Sequence, residues 1–531
     1  MTIAVNMFTG EKPRVGENLL PDEAAAVAEG CLYDSGHLEG IPQRTAIAAA
    51  LVADPRSIFF YEGAHWFSWL ADVSVIESPI AQDAYARVYF TGDGAPKVTS
   101  NLIATGSDPK PAASYRLGVP APDAPIAVIS SGGGDDDDST DESRAYVFTY
   151  VTEYGEEGPP SAASNIVVLD DPTTNTVDLT LPTLSTNPYN ITQKRIYRTV
   201  TTGSDTSFYL VAEIPLAQTA YNDAILSVDL GPAVATDGYD LPPDDMSGLV
   251  MGSNGMAAGF AGNEFMVSEP YLPYAFPLAY RRSTVHDIVA IAATATGFVL
   301  ATTGFPYVVS GVRPDAMSEI KIDLMQACVS ARSMVDMGDF VLYASPDGLV
   351  RVSESGAGVM TETIIKKRDW AQFHPETIRA YRYENKYIAF FNDGQGDSGG
   401  FVFEPESMTI TRLGYYASAG YNDLETDELY LVIDGALYQW ATGTQVDAYR
   451  WRSKVFHRPD MAYGAAKVWT KDPANVGFKL FVDDAEVMSV DALTNETFRL
   501  PDVRGCRWQF ELFGTGTVER VSIAGSFGDL Q

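Results

Sequence analysis

The sequence predicts an all-β protein: an irregular β-propeller, interrupted by an inserted fibronectin-like β-sandwich and followed by a C-terminal β-sandwich. Three observations carry that expectation. Short apolar runs are broken repeatedly by turn residues, the pattern of antiparallel hairpins. The chain holds 45 glycines and 31 prolines, with 46% apolar and 11% aromatic residues, a composition suited to turn-rich β packing. Hairpin units recur roughly every 40 to 50 residues through the middle of the chain, as blades would. No WD or kelch signature accompanies the repeats, so a stacked array of sandwiches stays open as the competing arrangement.

A chain of 531 residues is too long for one core, and three or four domains are expected. The pattern divides it into residues 1–129 (first hairpins), 130–143 (an acidic flexible loop), 144–240 (the sandwich insert), 241–445 (the blades) and 446–531 (the last sandwich). No run of about 18 apolar residues suggests a membrane span. The start, MTIAVNMFTGEKPRVGENLL, lacks the basic-then-apolar plan of a signal peptide. Cys31, Cys328 and Cys506 lie too far apart for a zinc pattern or a disulfide framework, and three buried thiols are expected.

Charge narrows the function. The formal net charge is −34, from 36 Lys and Arg against 70 Asp and Glu. A protein that grips nucleic acid needs clustered cations to displace phosphate counterions, so sequence-specific DNA binding is disfavoured. An acidic wall can still serve beside DNA, because it repels the duplex and lets it slide. Solubility alone accounts for the charge equally well.

In chain order, Asp22 to Glu29 open with acids and stop at Gly30, which suggests a short helix. SIFFYEGAHWFSWL turns at Glu62 and Gly63, and ARVYFTGDGAPKVTS at Gly92, Asp93 and Gly94. YRLGVPAPDAP, from Tyr115, reads as a proline-rich connector. Ser130 to Ser143 contain four consecutive aspartates, Asp135 to Asp138. Calcium loops alternate their ligands, and adjacent acids point different ways, so a solvated loop is the better reading. From Arg144 to Asp240, about seven short strands suit a sandwich, with Tyr146, Phe148 and Tyr150 alternating on one face.

The opening of the blade region, Asn254 to Gly311, contains two hairpins, one turning at Gly262 and Asn263, the other at Thr303 and Gly304. Between them SEPYLPYAF reads as a rigid, partly exposed loop. DFVLYASPDGLVRVS turns at Ser345 to Gly348, and ELYLVIDGALYQW at Asp434 and Gly435. TETIIKKRDWAQFHPETIRA has helical character and suggests a short helix ending before Pro375. From Tyr449 on, six alternating segments form the last sandwich, and the cations of WRSKVF, Arg452 and Lys454, read as an exposed charged strand face.

Two motifs imitate chemistry. Gly396 to Gly400 spell GDSGG, the nucleophile string of chymotrypsin-like proteases. That serine needs a histidine base and an orienting aspartate, and His65 is the only histidine in a comparable setting. The glycines around Ser398 are adequately explained by a loop between two strands. SSGGGD lacks the Lys-Ser/Thr of a phosphate loop and is followed by repelling acids. The sequence therefore offers no catalytic, cofactor-binding or metal residues, and no enzyme is expected.

The strings SEPYLPYAFP, TTGFPYVVSG, MQACVSARSMVDMGDFVLYASPDGLV and WRSKVF…RLPD…VERVSIAGS resemble the tail nozzle family of short-tailed bacteriophages, also called tail tubular protein B. LLPDEAAAVAEGCLYDSGHLEG and YFTGDGAPKV are similar to the opening of that family. GEEGPPS followed by KRIYRT resembles a fibronectin-like insert of phage structural proteins. The resemblance implies a virion structural protein: a subunit of a sixfold homo-oligomeric ring enclosing the distal DNA-ejection channel. It implies contacts with the tail adaptor ring and tail fibres, with DNA passing through unbound. It implies no enzymatic site, and the Asp135 to Asp138 loop has no counterpart in the family's pattern. The acidic loop before Arg144 and GYDLPPDD after the insert are seams of the kind at which inserted domains join a host, so residues 144–240 are expected to be self-contained and peripheral, facing fibres or the host envelope. Two other classes compete: a receptor-binding tail protein that presents aromatic platforms to host glycans, and a secreted propeller enzyme with clustered acids or a metal.

Overall fold

The computed structural model describes residues 2–131, 141–200 and 207–530. The Asp135 to Asp138 run lies outside them. Among the described residues the architecture is all-β, with one α-helical turn, Lys367–Trp370. That turn continues as a 3-10 turn and stops at His374, whose φ of 43° breaks the helix ahead of Pro375 as expected.

Seven small antiparallel sheets follow one another along the chain outside the two sandwiches. Sheet A is the hairpin Ser57–Tyr61 and His65–Trp69, turning through Glu62 and Gly63, both at positive φ. Sheet B is Ser74–Glu77, Val88–Thr91, Lys97–Thr99 and Tyr115–Arg116. Sheet C runs from Ser247–Met251 to Arg282–Ser283, sheet D from Ile288–Thr294 to Ser318–Lys321, and sheet E from Val335–Asp336 to Gly356–Val359, each with four strands in chain order. Sheet F starts with Arg379–Tyr383 and ends with Thr409–Leu413. Sheet G joins Ala419–Asp423, Glu428–Ile433 and Ala436–Gln439 to an early strand, Thr45–Ile47.

Tight turns set these registers. Glu384-Asn385 and Asp434-Gly435 are two-residue loops with both residues at positive φ, the geometry that matches strand twist. The first strand of B packs on that of C, C on D, D on E, E on F, F on G, and G on A. Sheets A and B share an aromatic cluster of Phe59, Phe67, Trp69 and Phe90, and the Val73 N–H donates to Ser57 Oγ at 2.9 Å.

Between B and C lies the sandwich. Tyr146–Thr152, Ile191–Arg198 and Tyr209–Pro215 form one sheet, and Ala127–Ser131, Thr176–Thr180 and Ala220–Asp223 another. Its first strand thus precedes Arg144. Tyr146, Phe148 and Tyr150 do share a face, yet the whole strand Tyr146–Thr152 is buried, because its other face is covered as well. The apolar interior of the sandwich runs on into the sheets beside it. Phe148, Val177 and Ile196 belong to one apolar cluster with Ile76, Tyr89 and Val98 of sheet B and Leu249 of sheet C.

Inside the sandwich sits a buried ionic hub. Asp223 Oδ2 accepts from the Tyr146 hydroxyl at 2.7 Å and from Arg144 Nη1 at 3.3 Å, and lies 3.0 Å from Arg198 Nε. Glu142 takes the other guanidinium edges, and burial, which pushes its carboxyl up, is outweighed by Ser227, Arg144 and Arg198, so it sits below its ordinary range.

The expected helix at Asp22 to Glu29 is instead two strands, Ala24–Ala25 and Val27–Glu29. Ala24, Ala25 and Ala28 are fully buried, and their small side chains let the strand enter a crowded seam, so tertiary packing overrides helix propensity. Val27–Glu29 pairs with Tyr449–Arg452 on one side and meets Arg412 on the other. It thereby stitches sheet F to the last sandwich in one continuous sheet. That sandwich also recruits Thr2–Val5, paired with Val518–Ala524, around Trp451, Phe478, Trp508 and Phe510. Arg452 and Lys454 do not form an exposed charged face: both are partly buried, Arg452 gripping Glu511 at 2.7 Å and Lys454 gripping Asp22 at 3.0 Å.

Candidate functional site

The starts of four first strands converge on one cavity of about 380 Å³. Arg56 directly precedes sheet A, Asp72 precedes B, Arg332 precedes E, and Arg379 opens F. Asp72 Oδ1 accepts from Arg379 Nη2 at 2.6 Å, and Oδ2 from Arg56 Nη2 at 3.0 Å. Arg332 Nε stands 3.6 Å from Asp72 Oδ1, while its Nη2 donates to Ser57 Oγ and to the Val73 carbonyl, at 2.9 and 2.6 Å. Burial works to raise the Asp72 carboxyl, but the Arg379, Arg332 and Arg56 guanidiniums outweigh it and hold it below its usual range. Burial draws Arg332 downward. Tyr381 lines the wall over Gly420, where an added Cβ would fall 2.6 Å from its Cζ. Gly92 lets its strand lie close against the Asp72 backbone: at φ +103° an added Cβ would fall 2.2 Å from the Asp72 carbonyl oxygen.

None of these residues was singled out from the sequence, since Asp72 and Arg379 are 307 positions apart. One signal was available: a charged residue recurring at the start of a repeat's first strand.

A second ionic site joins the sandwich to sheet B. Glu156 is buried and accepts from Arg87 Nη1 at 2.7 Å, while Arg87 Nε holds Asp83 at 2.7 Å. Burial pushes the Glu156 carboxyl up to about 7, with Arg87 offsetting part of that. Glu157 accepts from Arg195, Thr149 and Tyr197.

Ser398 opens the strand Ser398–Glu404 and is exposed. Its neighbour Asp397 does meet a histidine, His374, at 3.0 Å, but Ser398 hydrogen-bonds to neither, and His65 lies in sheet A. Among the described residues no group of three or more His, Cys, Asp or Glu is placed to hold a metal. Burial pushes the Cys31 and Cys328 thiols up to about 12, which makes them poor nucleophiles. Cys506 is exposed, contrary to the expectation of three buried thiols, because it points outward from a half-exposed strand. Cys31 borders a small, mainly apolar cavity of about 150 Å³ with Tyr33 and Trp440. In the SEPYLPYAF loop, Tyr274 and Phe276 are buried against the sandwich and Tyr271 is 52% exposed, so the loop presents one aromatic rather than a platform. No helix of the described residues is long and apolar enough to cross a membrane.

No protein-family model matches the chain, and no curated protein matches it. Two solved structures align over most of its length. One is the extracellular domain of a hybrid two-component system from B. thetaiotaomicron, at 7% identity and a TM-score of 0.26, covering 93% of this chain and 61% of that one. The other is PorZ, a surface component of the type-IX secretion system of Porphyromonas gingivalis, at 12% identity and a TM-score of 0.27, covering 91% and 71%. The chain thus spans about three fifths of the first. Likeness this distant carries no functional argument.

Proposed function

We propose that this chain is a structural subunit of a phage tail, a nozzle-ring protein that walls the distal DNA-ejection channel. The observation that carries the reading is the run of extended strings resembling that family, spread from LLPDEAAAVAEG to VERVSIAGS. Two physical features support it. The long sheet through Val27–Glu29 ties sheet F to the last sandwich, giving the stiffness that a ring subunit needs. The net charge of −34 suits a wall past which DNA slides without being held.

In this reading sheets A to G are the blades of an irregular β-propeller. The succession of first-strand contacts supports it, as does the use of Thr45–Ile47 to complete the last blade from the start of the chain. The adaptor ring and tail fibres are the expected partners, and the virion is the expected location. A glycan-binding tail protein is the alternative, and the burial of Tyr274 and Phe276 weakens it. Electron microscopy of the purified protein tests the proposal: a sixfold ring with an axial pore supports it, and monomers or trimers speak for the alternative.

A further inference from the structure

The Arg56–Asp72–Arg332–Arg379 cavity is positively charged in a strongly acidic chain. Asp72 is the only acidic side chain among its lining residues, against three guanidiniums. Both Asp72 oxygens are already engaged, by Arg379 and Arg56. Arg332 is left under-satisfied: its Nε stands beyond hydrogen-bond range of Asp72, and its Nη1 has no protein acceptor among the described residues.

Arg56 and Arg332 keep 56% and 31% of their side-chain surface exposed, so their free N–H groups face the water of the cavity and are available to a ligand. Two guanidinium charges in excess on one cavity wall suit an oxyanion, whose oxygens match the planar N–H forks. We propose that this cavity binds a small, multiply charged oxyanion of the phosphate class, held by Arg332, Arg56 and Arg379, with the Tyr381 wall beside it. About 380 Å³ admits such an ion with its water but not a nucleic-acid duplex, so the ligand is a free ion or small molecule. The inference stands apart from the tail-ring proposal, since it uses only the cavity's own geometry.

The test is isothermal titration of the full chain with inorganic phosphate at fixed ionic strength, with chloride as the reference. Saturable binding of one phosphate per chain is expected. Arg332→Gln should weaken it at least tenfold. Arg56→Gln removes a half-exposed side chain and should weaken it severalfold while the melting temperature stays near that of the wild type. Asp72→Asn, titrated at low temperature where it stays folded, should tighten it, because the competing carboxylate charge is gone. Absence of saturable heat in the wild type would overturn the proposal. So would Arg56→Gln and Arg332→Gln variants that melt normally and bind phosphate as tightly as the wild type.

Discussion

Replacing Asp223 with alanine should unlock the sandwich, because this one carboxylate serves three strands. Its Oδ2 holds Tyr146 at 2.7 Å, Arg198 at 3.0 Å and Arg144 at 3.3 Å, and its Oδ1 accepts the Ile225 N–H at 3.0 Å. The two arginine side chains are 1% and 0% exposed, so water cannot replace the lost partner. Two guanidiniums would then share Glu142 as their one remaining carboxylate in the hub. Breaking a buried pair from one side costs about 3–5 kcal/mol. All seven tryptophans lie outside the sandwich, so their fluorescence would miss the effect. Amide hydrogen exchange followed by mass spectrometry reads it directly. Peptides over Tyr146–Thr152 and Ile191–Arg198 should exchange on the order of a hundred to a few thousand times faster, at about 1.4 kcal/mol per tenfold. Sheets D and E should be unchanged. Exchange within tenfold of the wild type would refute the claim that the hub holds the sandwich together.

Glu156 gives a pH signature. Its carboxyl is held near 7 in the folded chain, against an ordinary value of 4.5, so the proton favours the native state. Its contribution is full below about pH 4.5 and lost as pH rises through 7, on the order of 3 kcal/mol. Thermal melts should show Glu156→Gln losing less stability than the wild type between pH 5 and pH 8; parallel curves would contradict this. Replacing residues 144–240 with a Gly-Ser linker is expected to give aggregated or early-melting protein, since Ile76, Tyr89 and Val98 lose their cover at roughly 1.5–3 kcal/mol per fully buried side chain. A variant as stable as the parent by size analysis and melting would show that the shared core is dispensable. Duplex DNA should show no measurable affinity at physiological salt, because too few phosphates would be neutralised; tight, salt-sensitive binding would remove the conduit wall.

Local structure was legible in the sequence and assembly was not. The turns at Glu62-Gly63, Gly262-Asn263 and Asp434-Gly435 were readable because two residues and their strands decide them. Ala24 to Ala28 misled, since helix propensity is local while the pairing that wins comes from Tyr449–Arg452, more than four hundred residues on. The sandwich looked separable because loops bound it, yet its apolar side chains fall in one buried cluster with Tyr89 and Leu249, a continuity that no periodicity records. The ion pair at Glu156 was not readable, because its partner Arg87 sits 69 positions earlier. The cavity cluster was invisible for the same reason, its four charges being scattered from Arg56 to Arg379.

The central claim is the ring. Class averages of the purified full-length chain, viewed end-on by electron microscopy, test it most directly. The account predicts six copies around an open axial pore, with the last sandwich and sheet F moving as one rigid unit in every copy. Single particles, trimers, or a ring whose centre is closed would contradict it.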